Sequence, residues 1–223
     1  MNELNIRFIN NSKYKTLIGI IDTEAHNIGS IKNCLNYLKI KSKIIKSPKD
    51  LMKIDHVILP GVGAYDAVVE SLYHKKFFKE DLKKIFLKKK VLAICVGMQI
   101  LFSESEEGKK NGLSFFNGKI KHLKKIKCKD AIPHVGFNSI KLNKIHKMIS
   151  SIFEKDFYFT HTYALDKNEI DKKFNGIYGL TKYGGTEFIS FLSFKNIIAT
   201  QFHPEKSGTS GLKLLKYFYD KKK

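Results

Sequence analysis

Two segments of the chain carry residue types that could do chemistry together. Cys95 follows the apolar run Val91–Ile94 and precedes a Val-Gly pair, an order typical of a buried strand that turns at once into a helix. The helix dipole and the free backbone N–H groups at such a turn favour a thiolate. His203 also follows an apolar run, and Glu205 lies two residues beyond it. Since a histidine can act as general base while a carboxylate orients it, these residues predict a cysteine nucleophile with its base.

The composition indicates a single globular domain. The chain has 223 residues, of which 43% are hydrophobic, enough for one α/β domain with a full core. No apolar run reaches the roughly 18 residues that a membrane span needs, and the N-terminus lacks the basic-then-apolar order of a signal peptide. We therefore expect a cytoplasmic protein with no membrane partner.

The net charge of +20 is compatible with a nucleic-acid or other polyanionic partner. Lysine supplies almost all of this charge, because Arg7 is the only arginine in the chain. Recognition of bases and phosphates usually relies on the arginine fork. We therefore favour an enzyme with a lysine-coated surface and predict no nucleic-acid partner.

The three cysteines predict neither a disulfide framework nor a metal site. Cys34, Cys95 and Cys128 are spaced too widely for either pattern. Cys34 lies on an amphipathic helical pattern and is interpreted as a small core residue. Cys128 lies between two lysines and is interpreted as a loop or edge residue. We predict that the protein uses no metal and no cofactor.

Strand-like and helical patterns alternate in the first half of the chain, and the second half is richer in strands. This order predicts an α/β fold with a doubly wound mixed, mainly parallel sheet flanked by helices. Asn27 is predicted to cap the first helix. Residues 1–15 are predicted to be an N-terminal extension, and 16–223 a single domain. The predicted strands are 17–21, 43–45, 56–59, 91–94, 119–123, 137–140, 157–161, 176–180, 188–194 and 197–201, and the predicted helices are 28–38, 65–72, 77–87, 98–102, 145–153 and 212–219.

Four motifs fall at predicted strand ends, where open α/β sheets form their binding crevice. Glycines in the Pro60–Gly63 motif let the backbone turn with its N–H groups free. One of those N–H groups, together with that of Val96, predicts an oxyanion hole for a tetrahedral intermediate. The other motifs begin at Cys95, Pro133 and His203.

Six motifs together resemble the class I, triad-type glutamine amidotransferases, and in particular the glutaminase subunit of imidazole glycerol phosphate synthase. The likeness extends over about residues 17–218, and the combination is far more specific than any single motif. The motifs are LPGVGAYD at 59–66, ICVGMQ at 94–99, SEEG at 105–108, PHVGFN at 133–138, THTY at 160–163 and QFHPEKSG at 201–208.

The resemblance implies a role for each residue that matches these motifs. Cys95 would attack the carboxamide carbon of glutamine, His203 would protonate the departing ammonia and then activate water, and Glu205 would orient His203. Backbone N–H groups of Val62 and Val96 would form the oxyanion hole. The residues expected at the substrate are Gly63, Gln99, His161 and Tyr163.

The resemblance also implies L-glutamine as substrate and a heterodimer with a cyclase or synthase subunit that receives the ammonia. Simpler interpretations stay open for some residues. Gln99 could be an ordinary helix residue and Tyr163 a packing residue, whereas His134 and His161 are better interpreted as structural, hydrogen-bonded histidines.

The chain departs from the family's pattern in three places. After the first strand the family usually has Asp-Tyr-Gly-x-Gly-Asn, a loop near the partner and the ammonia exit, and here Glu24 and His26 replace the two glycines. Ala93 and Phe137 replace a usual glycine and tryptophan. Because the triad is intact, we expect glutaminase chemistry. The histidine pathway is the favoured role, and the alternative is a paralogous amidotransferase that modifies nucleotide sugars or surface glycans.

Two hypotheses outside this class make different predictions. A free-standing cysteine peptidase or amidase would need Cys95 and His203, but it would not predict Gln99 or the Pro60–Gly63 pattern. A catalytically inactive binding subunit, or a nucleic-acid binder, would tolerate replacement of Cys95 without loss of function.

Overall fold

The computed structural model describes residues 16–144, 147–171 and 174–220. The predicted extension 1–15 and the first two residues of the predicted helix 145–153 lie outside the described residues. The helices are α1 (Ile28–Tyr37), α2 (Tyr65–His74), α3 (Lys79–Lys88), α4 (Val96–Gln99), α5 (Lys147–Ser150) and α6 (Gly208–Asp220). The strands are β1 (Ile18–Ile21), β2 (Ser42–Ile45), β3 (His56–Leu59), β4 (Lys90–Ile94), β5 (Glu104–Ser105), β6 (Lys119–His122), β7 (His134–Asn138), β8 (Lys141–Leu142), β9 (Phe157–His161), β10 (Tyr163–Asp166), β11 (Ile177–Tyr183), β12 (Thr186–Phe194) and β13 (Ile197–Thr200).

Most of the strands form one mixed sheet with a parallel core. In the described ranges the order is β2-β1-β3-β4-β13-β12-β10-β6-β5, with β11 pairing to β12 and β8. Neighbours from β2 to β13 are parallel, as are β5 and β6, and the other pairs are antiparallel. Strands β7 and β9 form a separate antiparallel pair. The predicted α/β fold with a doubly wound mixed, mainly parallel sheet flanked by helices is confirmed.

Four of the parallel strands are buried on both faces, as their mainly apolar sequences predict. Every residue of β1, β3, β4 and β13 is buried. Each flanking helix covers the sheet with one apolar face; in α3, Leu82 and Phe86 are fully buried while Lys84 and Lys88 are exposed. Burying an apolar side chain of this size contributes about 1.5–3 kcal/mol.

The strand register brings three strand ends to the same place. Strand β4 lies between β3 and β13, where Ala93 pairs with Leu59 and Ile94 pairs with Thr200. The Cys95 N–H donates to the Thr200 carbonyl at 2.7 Å, which ties the two strand ends together. The segments that follow these three strands therefore emerge side by side at the carboxyl edge of the sheet.

The second half of the chain contains most of the differences from the sequence-based prediction. The strand predicted at 137–140 is instead β7, and β5, β8 and β10 were not predicted. The sequence pattern did not predict the bounds of β7, because its apolar residues Val135 and Phe137 point outward and the apolar alternation is inverted. Gly136, between them, has φ 137°. The helix predicted at 98–102 is the single turn α4, which ends at Gln99.

Neither a membrane span nor a metal cluster occurs in the part of the chain that the structure describes. No helix there combines the length and the apolar character needed to cross a bilayer. No three His, Cys, Asp or Glu side chains there are grouped so that they could hold a metal ion. Cys34, Cys95 and Cys128 are free thiols.

Candidate active site

Cys95 lies on a strained turn between β4 and α4. Its backbone has φ 54° and ψ −111°, a region that residues with a Cβ rarely adopt. The turn is crowded, because a Cβ at Gly97 would overlap the Leu59 carbonyl. Glycine at that position lets α4 begin directly against the sheet. The turn therefore holds the thiol at the carboxyl edge, where the three strand ends meet.

His203 and Glu205 form a buried pair next to Cys95. A short 3-10 helix, Pro204–Lys206, follows His203 and turns the carboxylate back toward the ring. His203 Nδ1 donates to Glu205 Oε1 at 2.8 Å, and both side chains are almost fully buried. Because Nδ1 is committed to the carboxylate, Nε2 is the ring nitrogen left for a reaction at Cys95.

The charge on His203 follows from these neighbours. Burial disfavours the imidazolium, but the electrostatic interactions with neighbouring Cys95 and with the Glu205 carboxylate outweigh burial and raise the pKa of His203 to about 10. His203 is therefore protonated at neutral pH. Such a histidine is suited to act first as an acid, and it becomes a base only after it has given its proton away.

Asn27 occupies the predicted N-cap position of α1, but its side chain belongs to this site. Its side chain makes no capping hydrogen bond to α1. Instead, Asn27 Nδ2 donates to Glu205 Oε1 at 2.8 Å. The same carboxylate oxygen accepts from Asn27 and from His203, so Asn27 fixes the carboxylate that orients the ring. Its only sequence signal was the match to the family's loop.

A cavity of about 240 Å³ opens in front of Cys95 and His203. It brings together all of the predicted site residues except Glu205, which lies behind His203. A thiol, an imidazole, an amide and backbone groups around so small a space suit a small polar substrate. The predicted residues that line the cavity are Val62, Gly63, Cys95, Val96, Gln99, His161, Tyr163 and His203.

The two predicted oxyanion donors are not both available in this conformation. The Val96 N–H donates to the Gly61 carbonyl at 3.3 Å, so that carbonyl occupies the position that a substrate oxygen would need. From the other side, Thr23 Oγ1 donates to the Pro60 carbonyl at 3.2 Å. A rotation of the Gly61–Val62 peptide would release the Val96 N–H and turn the Val62 N–H toward the cavity. Both N–H groups could then donate to the oxygen of a tetrahedral intermediate.

Gln99, His161 and Tyr163 are linked along one wall of the cavity. The Tyr163 carbonyl accepts from Gln99 Nε2 at 3.0 Å and from His161 Nδ1 at 2.9 Å. His161 Nε2 must then accept from His134 Nδ1, 3.1 Å away. Burial lowers the pKa of His161 to about 3 and that of His134 to about 4, so both rings are neutral at physiological pH. This arrangement favours the structural interpretation of the two histidines.

Glu107 is a cavity residue to which the sequence analysis assigned no role. Its half-buried side chain contributes to the cavity wall. Burial raises the pKa of Glu107 above its usual value. A carboxylate in such a wall can form a charge-assisted hydrogen bond with an ammonium group. The only sequence signal was its place in the SEEG motif.

The structure gives a physical account of the altered loop after β1. Glu24 has φ 58°, a conformation that favours glycine. Its carboxylate pairs with Lys75 Nζ at 2.7 Å, and Lys75 also lies 3.4 Å from Asp22 Oδ2. These ion pairs hold a residue with a Cβ in that conformation. His26 has no positive φ, so its position does not require glycine.

Comparison with known proteins gives consistent results over most of the chain. The family model described as glutamine amidotransferase class-I matches residues 19–222. Imidazole glycerol phosphate synthase subunit HisH of Caldanaerobacter subterraneus subsp. tengcongensis is 38% identical over 204 residues, which cover 91% of this chain and 97% of that protein. The protein of the same name from Methanocaldococcus jannaschii is 40% identical over 209 residues, covering 92% and 99%. The solved structure of PurLQS from Thermotoga maritima has a TM-score of 0.67 at 15% identity, covering 92% of this chain and 98% of that one, and this likeness concerns the fold.

Proposed function

The chain belongs to the glutamine amidotransferase class-I family, and on that premise we propose that it is the glutaminase subunit of an imidazole glycerol phosphate synthase. The observation that carries the proposal is the buried Cys95, His203 and Glu205 group at the edge of a small polar cavity. The subunit releases ammonia from L-glutamine for a cyclase subunit in the cytoplasm. The sugar-amidating alternative is not favoured, because both relatives described above carry the synthase name.

The first half of the reaction forms a thioester. The Cys95 thiolate attacks the carboxamide carbon of glutamine, and negative charge develops on the carboxamide oxygen. The N–H groups of Val62 and Val96 stabilise that charge once both face the cavity. The carbon–nitrogen bond then breaks while His203 gives its Nε2 proton to the leaving nitrogen, and ammonia departs. His203 is now neutral, and Glu205 holds it in the tautomer protonated at Nδ1.

The second half of the reaction restores the enzyme. Neutral His203 takes a proton from a water molecule, whose oxygen attacks the thioester carbon. The carbon–sulfur bond breaks, and Cys95 leaves as a thiolate. The products are glutamate and an enzyme with the same charges as at the start. This sequence requires His203 to be an acid first and a base second, which the raised pKa of His203 supports.

Glu107 is suited to bind the ammonium group of the substrate, because it supplies the carboxylate in the cavity lining. Replacing Glu107 with glutamine should raise the KM for glutamine about 10- to 100-fold, the effect of losing a charge-assisted hydrogen bond, with a smaller change in kcat. Steady-state kinetics of glutamate release measures both constants.

Glu104→Gln is the matched control for this change. Glu104 lies in the same stretch of chain but is exposed and pairs with Lys119, so its replacement should leave KM unchanged. A fall in kcat at constant KM for Glu107→Gln would contradict a role in ground-state binding and assign Glu107 to the chemical step.

An exposed aromatic patch near the triad supports docking of a partner. Phe137 is 61% exposed, and its ring contacts that of Tyr158 edge-on, with centroids 5.5 Å apart. Lys206, in the 3-10 helix after His203, lies over the same Tyr158 ring. The Tyr158 carbonyl accepts the His203 N–H at 2.9 Å. A subunit bound on this patch would therefore contact the segment that carries the catalytic histidine.

The test of the proposed function is glutamate release by the purified chain, alone and with a histidine-pathway cyclase subunit and its nucleotide substrate. Alone, the chain should be slow, because the Val96 N–H is engaged by Gly61. The complex should release glutamate about 100-fold faster or more, because the loss of one oxyanion donor typically lowers the rate by that factor. Equal rates with and without the cyclase would overturn the assignment to this synthase, and stimulation by a sugar-amidating synthase would replace it.

A further inference from the structure

We propose that Gln201 is a further residue of the reaction, which donates an amide N–H to the Cys95 sulfur and stabilises it as a thiolate. The side chain is fully buried, and its Nε2 lies 3.6 Å from Cys95 Sγ. The sheet register explains the contact, since Thr200 pairs with Ile94 and the next residue of each strand therefore lies beside the other. The role in glutamine hydrolysis rests on the proposed function, whereas the contact with the thiol does not.

The orientation of the Gln201 amide is fixed by a chain of hydrogen bonds. The Tyr163 carbonyl can only accept, so Gln99 must present its NH₂ group to it. The same NH₂ group lies 3.1 Å from the Gln201 side chain, which must present its oxygen in return. The remaining end of the Gln201 amide, its NH₂ group, then faces the sulfur. Gln99 therefore determines which end of Gln201 meets Cys95.

A neutral donor differs from His203 because its charge does not change during the reaction. His203 gives its proton to ammonia and regains one from water, so the charge next to the sulfur changes twice in each cycle. The Gln201 N–H carries no titratable proton and stays in place throughout. It can therefore stabilise the thiolate both when sulfur attacks and when sulfur leaves, as hydrogen bonds to a charged group generally do.

The experiment measures the rate at which iodoacetamide alkylates Cys95 as a function of pH, by peptide mass spectrometry on the full chain. Gln201→Met removes the donor and keeps a similar side-chain volume. It should raise the midpoint of the pH profile by about one unit, so that alkylation below the midpoint becomes about tenfold slower. Gln201→Glu places a carboxylate against the sulfur and should raise the midpoint further. In glutamine hydrolysis both variants should lose kcat, about tenfold or more, with little change in KM.

Cys128, in the same digest, is the internal control, and its profile should not move in any variant. Thermal unfolding shows which variants keep the fold. Gln99→Met, which leaves the Gln201 amide free to rotate, is a third variant. It should also raise the midpoint of the Cys95 profile. An unshifted Cys95 profile in a folded Gln201 variant would overturn the proposal, as would equal midpoints for Gln201→Met and Gln201→Glu. A shifted profile in a chain without glutaminase activity would uphold the contact and reject the proposed function instead.

Discussion

Replacing Cys95 with alanine should lower glutamine hydrolysis about 10⁴-fold or more, even with the cyclase subunit bound. The variant has no atom that can form the thioester, so only the oxyanion donors and substrate binding are left to assist direct attack by water. The same substitution removes a negative charge next to His203, which should lower the pKa of that ring toward its ordinary value. Glutamate release, followed with a coupled assay at saturating glutamine, measures the loss.

The synthase complex provides a control that separates lost chemistry from lost structure. With ammonia supplied in solution, the Cys95→Ala complex should still support product formation by the cyclase, since that step needs no glutamine. Cys128→Ala, at a cysteine outside the cavity lining, should keep full glutamine-dependent activity. Glutamine hydrolysis at the normal rate by Cys95→Ala would exclude the nucleophile assignment and the glutaminase function with it.

Short-range patterns were enough to predict the parallel half of the fold. Strands β1, β3, β4 and β13 are buried on both faces, and their mainly apolar sequences are typical of that environment. The convergence of Cys95 and His203 then follows from parallel strands that end at the same edge. Strand β7 has the opposite character, because two of its apolar side chains face outward, and its position could not be read from periodicity.

Side-chain contacts between distant segments are the part that sequence alone could not supply. Asn27 and Glu205 are 178 positions apart, and Gln201 and Cys95 are 106 apart. Nothing in the local pattern shows which end of a buried amide faces which partner, because that depends on every other donor and acceptor nearby. The engagement of the Val96 N–H by Gly61 depends on the orientation of one peptide, which residue types do not determine.

Glu205→Gln tests the part of the triad that does not touch the substrate, and it should lower kcat about 10³-fold or more near neutral pH. The substitution preserves shape: an amide oxygen at the place of Oε1 can still accept from His203 Nδ1 and Asn27 Nδ2. It removes the charge that stabilises the imidazolium. Steady-state kinetics with the cyclase complex measures kcat, and Glu187→Gln, at a surface carboxylate paired with Lys167, is the control that should be unaffected.

The pH profile gives this prediction its sharper form. In the wild type the pKa of His203 is raised to about 10, so the imidazolium that protonates ammonia persists well above neutral pH. Without the Glu205 charge that pKa falls, and the acid is lost at a lower pH. The alkaline limb of kcat should therefore move to lower pH in Glu205→Gln. A limb that stays in place while kcat falls would mean that Glu205 orients the ring without setting its charge, and the hydrogen bond from Asn27 would then matter for geometry alone.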